Sequence, residues 1–452
     1  MDKLIMTGQL LLSLSILVTL HEMGHFVPAK LFKTRVRKFY LFFDFLFPMQ
    51  NVLNFSLFKK KIGDTEYGLG WFPFGGYVEI AGMMDESMNT EELKQPPQPW
   101  EFRSKPAWQR LIIMLGGIIV NLLLGFFIFA GLFRYYGEEY LPTANVKDGI
   151  YVDSLGLKLG LQTGDKIIKV GNKPFDKFYD KIVWNEVVIN SAKTISVERA
   201  GQMVTLAVAD SMMPILTNPK NAEFSLFSVP FPFVAGKVQG GQPAAKAGIL
   251  PEDKIVSFNG IPTPYFPDFV KLARAHKNDS VTIGVLRGDK AMSFSMVETS
   301  AGTVGIAPYP PSKYYTPKRE HYTWAQALPA GVAKGWEFLT GQVKAFGKIF
   351  SGEIKAKDSL GSVVSMAQMF GKTWIWEEFW AKTAMLSLVL AFMNLLPIPV
   401  LDGGQVVFLL WEVVTGRKPS DNFMAIAMNI GLYMVLALML YALGLDLMRA
   451  FL

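Results

Sequence analysis

The chain has 452 residues, half of them hydrophobic and only 18% charged, with a formal net charge of +7. The apolar excess is gathered into a few blocks, which excludes an ordinary water-soluble domain and suits a chain embedded in a lipid bilayer. Its Lys and Arg form no long basic stripe, so nucleic acid is not an expected partner; cysteine is absent, so any metal must be held by His, Asp or Glu, and there are only four histidines.

The first apolar run covers 4–20 and holds no charge. It is long for a signal sequence and leads into a charged motif rather than a small-residue cleavage site, so it reads as a retained span. The motif is His21-Glu22-Met23-Gly24-His25, an H-E-x-x-H sequence. On a helix, residues i and i+4 share a face, so His21 and His25 can grip one metal. Glu22 beside them can take a proton from a metal-activated water and deliver it to a leaving amine. Ionisable groups at the end of a spanning helix are costly unless they are used.

A second uncharged run covers 111–133, a third 384–401 and a fourth 423–445. At 1.5 Å per residue the four runs extend about 26–35 Å, enough to cross the hydrocarbon layer. Within twenty residues of the span ends, the 20–111 and 402–422 loops together carry eleven Lys and Arg, against six on the other side. The richer loops are therefore expected in the cytoplasm, with both termini and the long 134–380 segment outside it.

That segment repeats itself. Gly160-Leu161-Gln162-Thr163-Gly164-Asp165-Lys166-Ile167-Ile168 recurs 88 residues later as Gly248-Ile249-Leu250-Pro251-Glu252-Asp253-Lys254-Ile255-Val256. Asn/Gly turns and alternating β-branched stretches follow each copy, which predicts two α/β modules. Gln242–Gly248, before the second copy, resembles PDZ domains attached to bacterial proteases. Such a pair either binds extended peptide tails by strand addition or acts only as a steric filter. The 324–350 stretch has helical spacing with interspersed lysines. It is expected to lie on the membrane surface, lie against the modules or serve as a linker.

A third metal ligand is still needed. His276 and His321 fall in the extracytoplasmic segment, on the wrong side. Asp402 directly follows the third run in Asn394-Leu395-Leu396-Pro397-Ile398-Pro399-Val400-Leu401-Asp402-Gly403-Gly404, at the same depth as His21. Pro397 and Pro399 break the helix and free backbone groups, which lipid tolerates only where they line a cavity such as a peptide cleft.

The pairing of His21–His25 with Asn394–Gly404, four spans and an inserted tandem resembles the site-2 protease family of intramembrane zinc metalloproteases. Further likeness lies in Thr65–Leu69, in Phe74-Gly75-Gly76-Tyr77-Val78, in Phe102–Arg110 and in the Gly-x-x-x-Asn pattern Gly117–Asn121. Ile118 stands where many relatives have Pro, and Gln405 where several have His. The resemblance implies one Zn2+ held by His21, His25 and Asp402, with Glu22 as catalytic base. It implies Asn394, Pro397, Pro399, Gly75, Gly76 and Tyr77 as substrate-binding, and Gly117 and Asn121 as structural or substrate contacts. The 43–80 stretch would form β-hairpins dipping into the membrane.

The expected architecture is a polytopic α-helical membrane protein with four transmembrane helices, a membrane-dipping β-hairpin region and two inserted PDZ domains. The expected divisions are an N-terminal catalytic part at 1–135, PDZ domains at 136–225 and 226–312, linker helices at 313–380 and a C-terminal catalytic part at 381–452. By resemblance the protein sits in the bacterial inner membrane and cuts single-span membrane proteins, such as an anti-sigma factor, and remnant signal peptides. Two competing readings are an inactive membrane PDZ scaffold and a metal transporter. The intact His21/Glu22/His25/Asp402 set opposes the first, and the gathering of ionisable groups at one depth opposes the second.

Overall fold

The computed structural model describes residues 2–46, 53–73, 75–83, 95–218, 221, 225–359 and 361–451. Phe74 of the Phe74–Val78 motif lies outside them. The chain divides into two compact units, one made of Met1–Glu138 with His321–Leu452 and the other of Glu139–Glu320.

The first unit opens with α1 (Asp2–Leu31), a single helix carrying the first apolar run and the H-E-x-x-H motif. Four strands follow: β1 (Val36–Leu41), β2 (Ser56–Ile62), β3 (Thr65–Gly70) and β4 (Tyr77–Ile80). They form one mixed sheet in the order β2-β3-β1-β4. Only β2 and β3 make a tight hairpin, turning at Gly63, whose φ of 61° suits a residue without Cβ. β1 pairs with β3 in parallel and with β4 antiparallel, so β4 is an edge strand. A simple run of hairpins is thus replaced by a sheet with one crossover.

Helix α2 (Ala107–Tyr135) carries the second apolar run. After the other unit, α3 (Trp324–Phe350) packs along α2: Gly331 meets Ala130 and Gly335 meets the Phe126 ring, both too close for a side chain. The 324–350 helix is therefore fastened to an apolar helix of its own unit. Its Lys334 and Glu337, both about half exposed, face away and pair with each other. A short helix, α4 (Val363–Met369), precedes α5 (Trp376–Leu395).

The third apolar run does not continue as helix to 401. Pro397 pushes Leu396 into extended backbone (φ −62°, ψ 143°), and α5 ends there. The chain turns through 396–401, and a new helix, α6 (Asp402–Thr415), begins at the aspartate. Helix α7 (Asp421–Phe451) closes the fold. Asp446 on α7 accepts the backbone N–H and hydroxyl groups of both Ser362 and Ser365, tying it to the start of α4. Among the described residues, three helical segments are long and apolar enough to cross a membrane: Asp2–Leu31, Ala107–Tyr135 and Asn422–Met448. α5 is shorter, at 20 residues, and carries Glu377, Glu378 and Lys382 near its start.

In the second unit the repeated motif folds twice into the same sheet. Strand Lys166–Val170 lies between Lys173–Pro174 and Thr194–Arg199, and Gln202–Ala207 completes the row. Strand Lys254–Phe258 occupies the same place among Ile261–Pro262, Ser280–Arg287 and Lys290–Val297. Each copy is closed by the same clasp. Asp165 holds Arg199 through two bonds (2.7 and 2.8 Å), and Arg199 reaches on to the Gly160 carbonyl. Asp253, Arg287 and Gly248 repeat it, with both Asp–Arg bonds at 2.7 Å. Both aspartates are buried, and each also accepts a backbone N–H three residues before it. A bidentate, desolvated pair of this kind is geometrically demanding. Its recurrence at the offset of 88 residues marks a duplication. Just past the last strand, Glu298 is buried with neither carboxylate oxygen hydrogen-bonded, and burial pushes its pKa up to about 7.

Candidate metal centre

His21 and His25 lie one turn apart on α1 and present their rings from one face. That face meets α2 where α2 has no side chains. Gly24 and Gly116 touch backbone to backbone: a Cβ on Gly24 would sit 2.4 Å from the Gly116 oxygen. A Cβ on Gly117 would lie 2.3 Å from His25 Nε2 and 2.6 Å from His21 Cε1. The glycines therefore let two imidazoles lie directly on the neighbouring helix.

Asp402 arrives from the C-terminal half. Gly403 and Gly404 seat the start of α6 against the 396–401 turn, since a Cβ on either would fall 2.4 Å from the backbone oxygen of Leu396 or Ile398. Further along, Val406 and Leu409 join Ile113 and Met114 of α2 in one buried cluster. Glu412 pairs with Arg110 at 2.5 Å in a mostly buried ion pair. Losing one partner of such a pair leaves an uncompensated charge, at a cost of about 3–5 kcal/mol. α6 is thus held against α2, with Asp402 at the histidines.

Three atoms converge. His21 Nε2 and His25 Nε2 are 3.3 Å apart, and Asp402 Oδ2 lies 3.2 Å from the first and 3.3 Å from the second. Donors about 2.0 Å from a tetrahedral zinc ion stand about 3.3 Å from one another, so this triangle fits one face of such a site. Asp402 Oδ2 is buried without a hydrogen-bond donor, as an atom reserved for a cation would be. His25 Nδ1 faces the Ile113 carbonyl at 2.8 Å. A carbonyl only accepts, so Nδ1 carries the proton and Nε2 keeps a lone pair that could bind a metal. Among the described residues no other group of three His, Asp or Glu converges this way.

Glu22 is half-buried beside the triangle, with the backbone of Val78 on edge strand β4 next to its carboxylate. Asn394, in the last turn of α5, brings Nδ2 to 3.2 Å from His21 Nε2. Pro397 and Pro399 lie in the turn that carries the chain to Asp402. Gly75 and Gly76 lead into β4, where a Cβ on Gly76 would press to 2.6 Å on the Tyr40 carbonyl and 2.9 Å on Val18 of α1. Tyr77 stacks on Tyr40 (5.3 Å) and donates to Asp44 at 3.0 Å, so its ring is occupied within the sheet. Asn121 is fully buried behind His21, 3.2 Å from its Nδ1. His276 and His321 take no part in the cluster. Sequence reasoning missed Gly24, Gly116, Val78 and the Arg110–Glu412 tie. Only the glycines left a signal, as small residues facing each other across two apolar helices.

A pair of histidines one turn apart, a carboxylate closing the triangle and a glutamate beside it define a zinc-dependent endopeptidase. The chain belongs to peptidase family M50, the site-2 protease family, whose model matches residues 9–438. It is 27% identical to a Neisseria meningitidis protein named as a presumed zinc metalloprotease, over 96% of this chain and 97% of that one. It is 26% identical to the regulator of sigma-E protease RseP of Escherichia coli K12, over 97% of each chain. Against the regulator of sigma E protease of Haemophilus influenzae the identity is 25%, over 98% of each chain. The cofactor is zinc.

Proposed function

We propose that the protein cuts single-span membrane proteins within or beside the bilayer, with His21, His25 and Asp402 as zinc ligands and Glu22 as base. The observation that carries this reading is the 3.2–3.3 Å triangle of ligand atoms with the Glu22 carboxylate next to it and edge strand β4 alongside. When bound, zinc supplies Lewis acidity, which makes hydroxide available near neutral pH and polarises a carbonyl. Glu22 takes the proton of the attacking water and returns it to the leaving nitrogen.

A peptide bond in a helix is shielded by its own hydrogen bonds, so the substrate must be held extended. β4, entered through Gly75, Gly76 and Tyr77, offers an edge for strand addition. Asn394 and the turn of Pro397 and Pro399 form the opposite wall, with Asn394 free to meet a substrate carbonyl once His21 Nε2 is occupied. In this reading α5 is a fourth span, shortened by the break at Leu396. The Glu139–Glu320 unit is a PDZ pair outside the cytoplasm that bars bulky substrates or takes peptide tails. The protein then resides in a bacterial inner membrane, and substrates of the class include an anti-sigma factor and remnant signal peptides.

The test compares the purified chain with Glu22→Gln on a single-span substrate. Cleavage by the parent and its loss in the variant, with zinc retained by both, is the expected result; equal cutting removes Glu22 as the base. An inert scaffold would cut in neither form.

A further inference from the structure

We infer that Asn121 is the positioning residue of His21, accepting the Nδ1–H of that ring and so fixing its metal-binding tautomer. The inference rests on the reading of His21, His25 and Asp402 as the zinc site.

The geometry around His21 is over-supplied with donors. The Asn121 amide nitrogen lies 3.2 Å from Nδ1 and the Asn394 amide nitrogen 3.2 Å from Nε2. A neutral imidazole accepts at only one nitrogen and donates at the other, so one of the two amides must present its oxygen instead. Nε2 is the corner of the ligand triangle, 3.3 Å from His25 Nε2 and 3.2 Å from Asp402 Oδ2. Nε2 therefore keeps the lone pair, Nδ1 carries the proton, and the amide that must turn is that of Asn121.

The surroundings of Asn121 permit that turn. Asn121 Oδ1 is buried with no hydrogen-bond partner, in a side chain with no exposed surface. A half-turn of the amide places Oδ1 on His21 Nδ1–H and carries Nδ2 to where Oδ1 stood; the two ends of an amide have nearly the same shape, and no bond at Oδ1 opposes the turn. The backbone of Asn121 is pinned separately, because the Ser387 hydroxyl donates to its carbonyl at 2.7 Å. His25 already shows the same device, its Nδ1–H meeting the Ile113 carbonyl two helical turns earlier on α2. Both zinc histidines would thus be oriented from one helix, one by main chain and one by side chain. Outer acceptors of this kind fix ring orientation and raise ligand basicity.

The experiment measures zinc affinity of the full chain in detergent by chelator competition, for the parent, Asn121→Leu, Asn121→Asp and Asp402→Ala. Cobalt substitution is followed by visible absorption, which reads the ligand field and not the packing. Asn121→Leu keeps the volume and removes the acceptor, so a loss of about 10–100-fold in affinity and an altered cobalt spectrum are expected. Asn121→Asp keeps an acceptor, so affinity at or above the parent is expected. If leucine does not fold, Asn121→Ala carries the same comparison. Equal loss in the leucine and aspartate variants, or no loss in leucine, overturns the inference while Asp402→Ala still releases zinc. Zinc retained by Asp402→Ala overturns the underlying site reading instead.

Discussion

Gly117→Ala adds one methyl group at the centre of the site. Its Cβ would lie 2.3 Å from His25 Nε2, 2.6 Å from His21 Cε1 and 2.8 Å from His21 Nδ1. Ordinary contact begins about 1 Å further out, and metal–ligand distances tolerate only about 0.2 Å. His25 cannot retreat by a simple ring turn, because Nδ1 is held at 2.8 Å by the Ile113 carbonyl. Either that bond breaks or α1 moves off α2, and the latter is opposed by the Gly24–Gly116 backbone contact. Zinc affinity is therefore expected to fall by at least the ~100-fold that marks the upper range for outer-shell damage. Global stability should fall by about 1–3 kcal/mol, typical of overpacking. The assay is metal content after dialysis against a graded chelator, with Gly131→Ala on the same helix as control, where nothing lies within 4 Å of the added atom. Parent-like zinc retention in Gly117→Ala would refute the placement of the rings.

Two further outcomes are expected. Asp402→Ala should release zinc without unfolding the chain, because α6 remains held by Val406, Leu409 and the Arg110–Glu412 pair; unchanged metal content strikes Asp402 from the ligand set. Glu298 titrates at about 7 in the folded chain against about 4.3 unfolded, so the folded state holds the proton more tightly. The stability it contributes is full below about pH 4.3 and lost as pH rises through 7. Hydrogen exchange across strand Lys290–Val297, corrected for intrinsic rates, should lose protection over that window, and Glu298→Gln should abolish the loss. The neighbouring charges are His276 and Asp279. Identical pH profiles in both forms would sink that account.

The chemistry of the site was legible because it rests on short-range rules. His21 and His25 at i and i+4 dictate a shared face once a helix is granted, and Pro397 with Pro399 announces a break before Asp402. The repeated Gly160 and Gly248 segments likewise declare two copies of one module, and the sheet order agrees. What escaped was set by tertiary approach. α6 was read as loop because its unbroken apolar run, Val406–Trp411, is too short to cross a bilayer and follows a run taken as one span. The parallel pairing of β1 with β3 leaves no local trace, since alternation is the same in either direction. Asn121 was read as either a structural or a substrate contact, because a polar residue in a span has several uses. Its contact with His21 Nδ1 is visible only once the two helices are packed together.

The contact of Gly24 with Gly116 has a mechanical meaning. With no side chain between them, α1 and α2 cannot slide without a backbone collision, so two corners of the triangle and the wall behind them behave as one solid body. The third corner belongs to a distant stretch of chain, reached only after several hundred residues. Under the proposed ligation the ion is a rivet joining these two parts of the polypeptide. Free energy of metal capture is then felt as cohesion between the chain's beginning and its end.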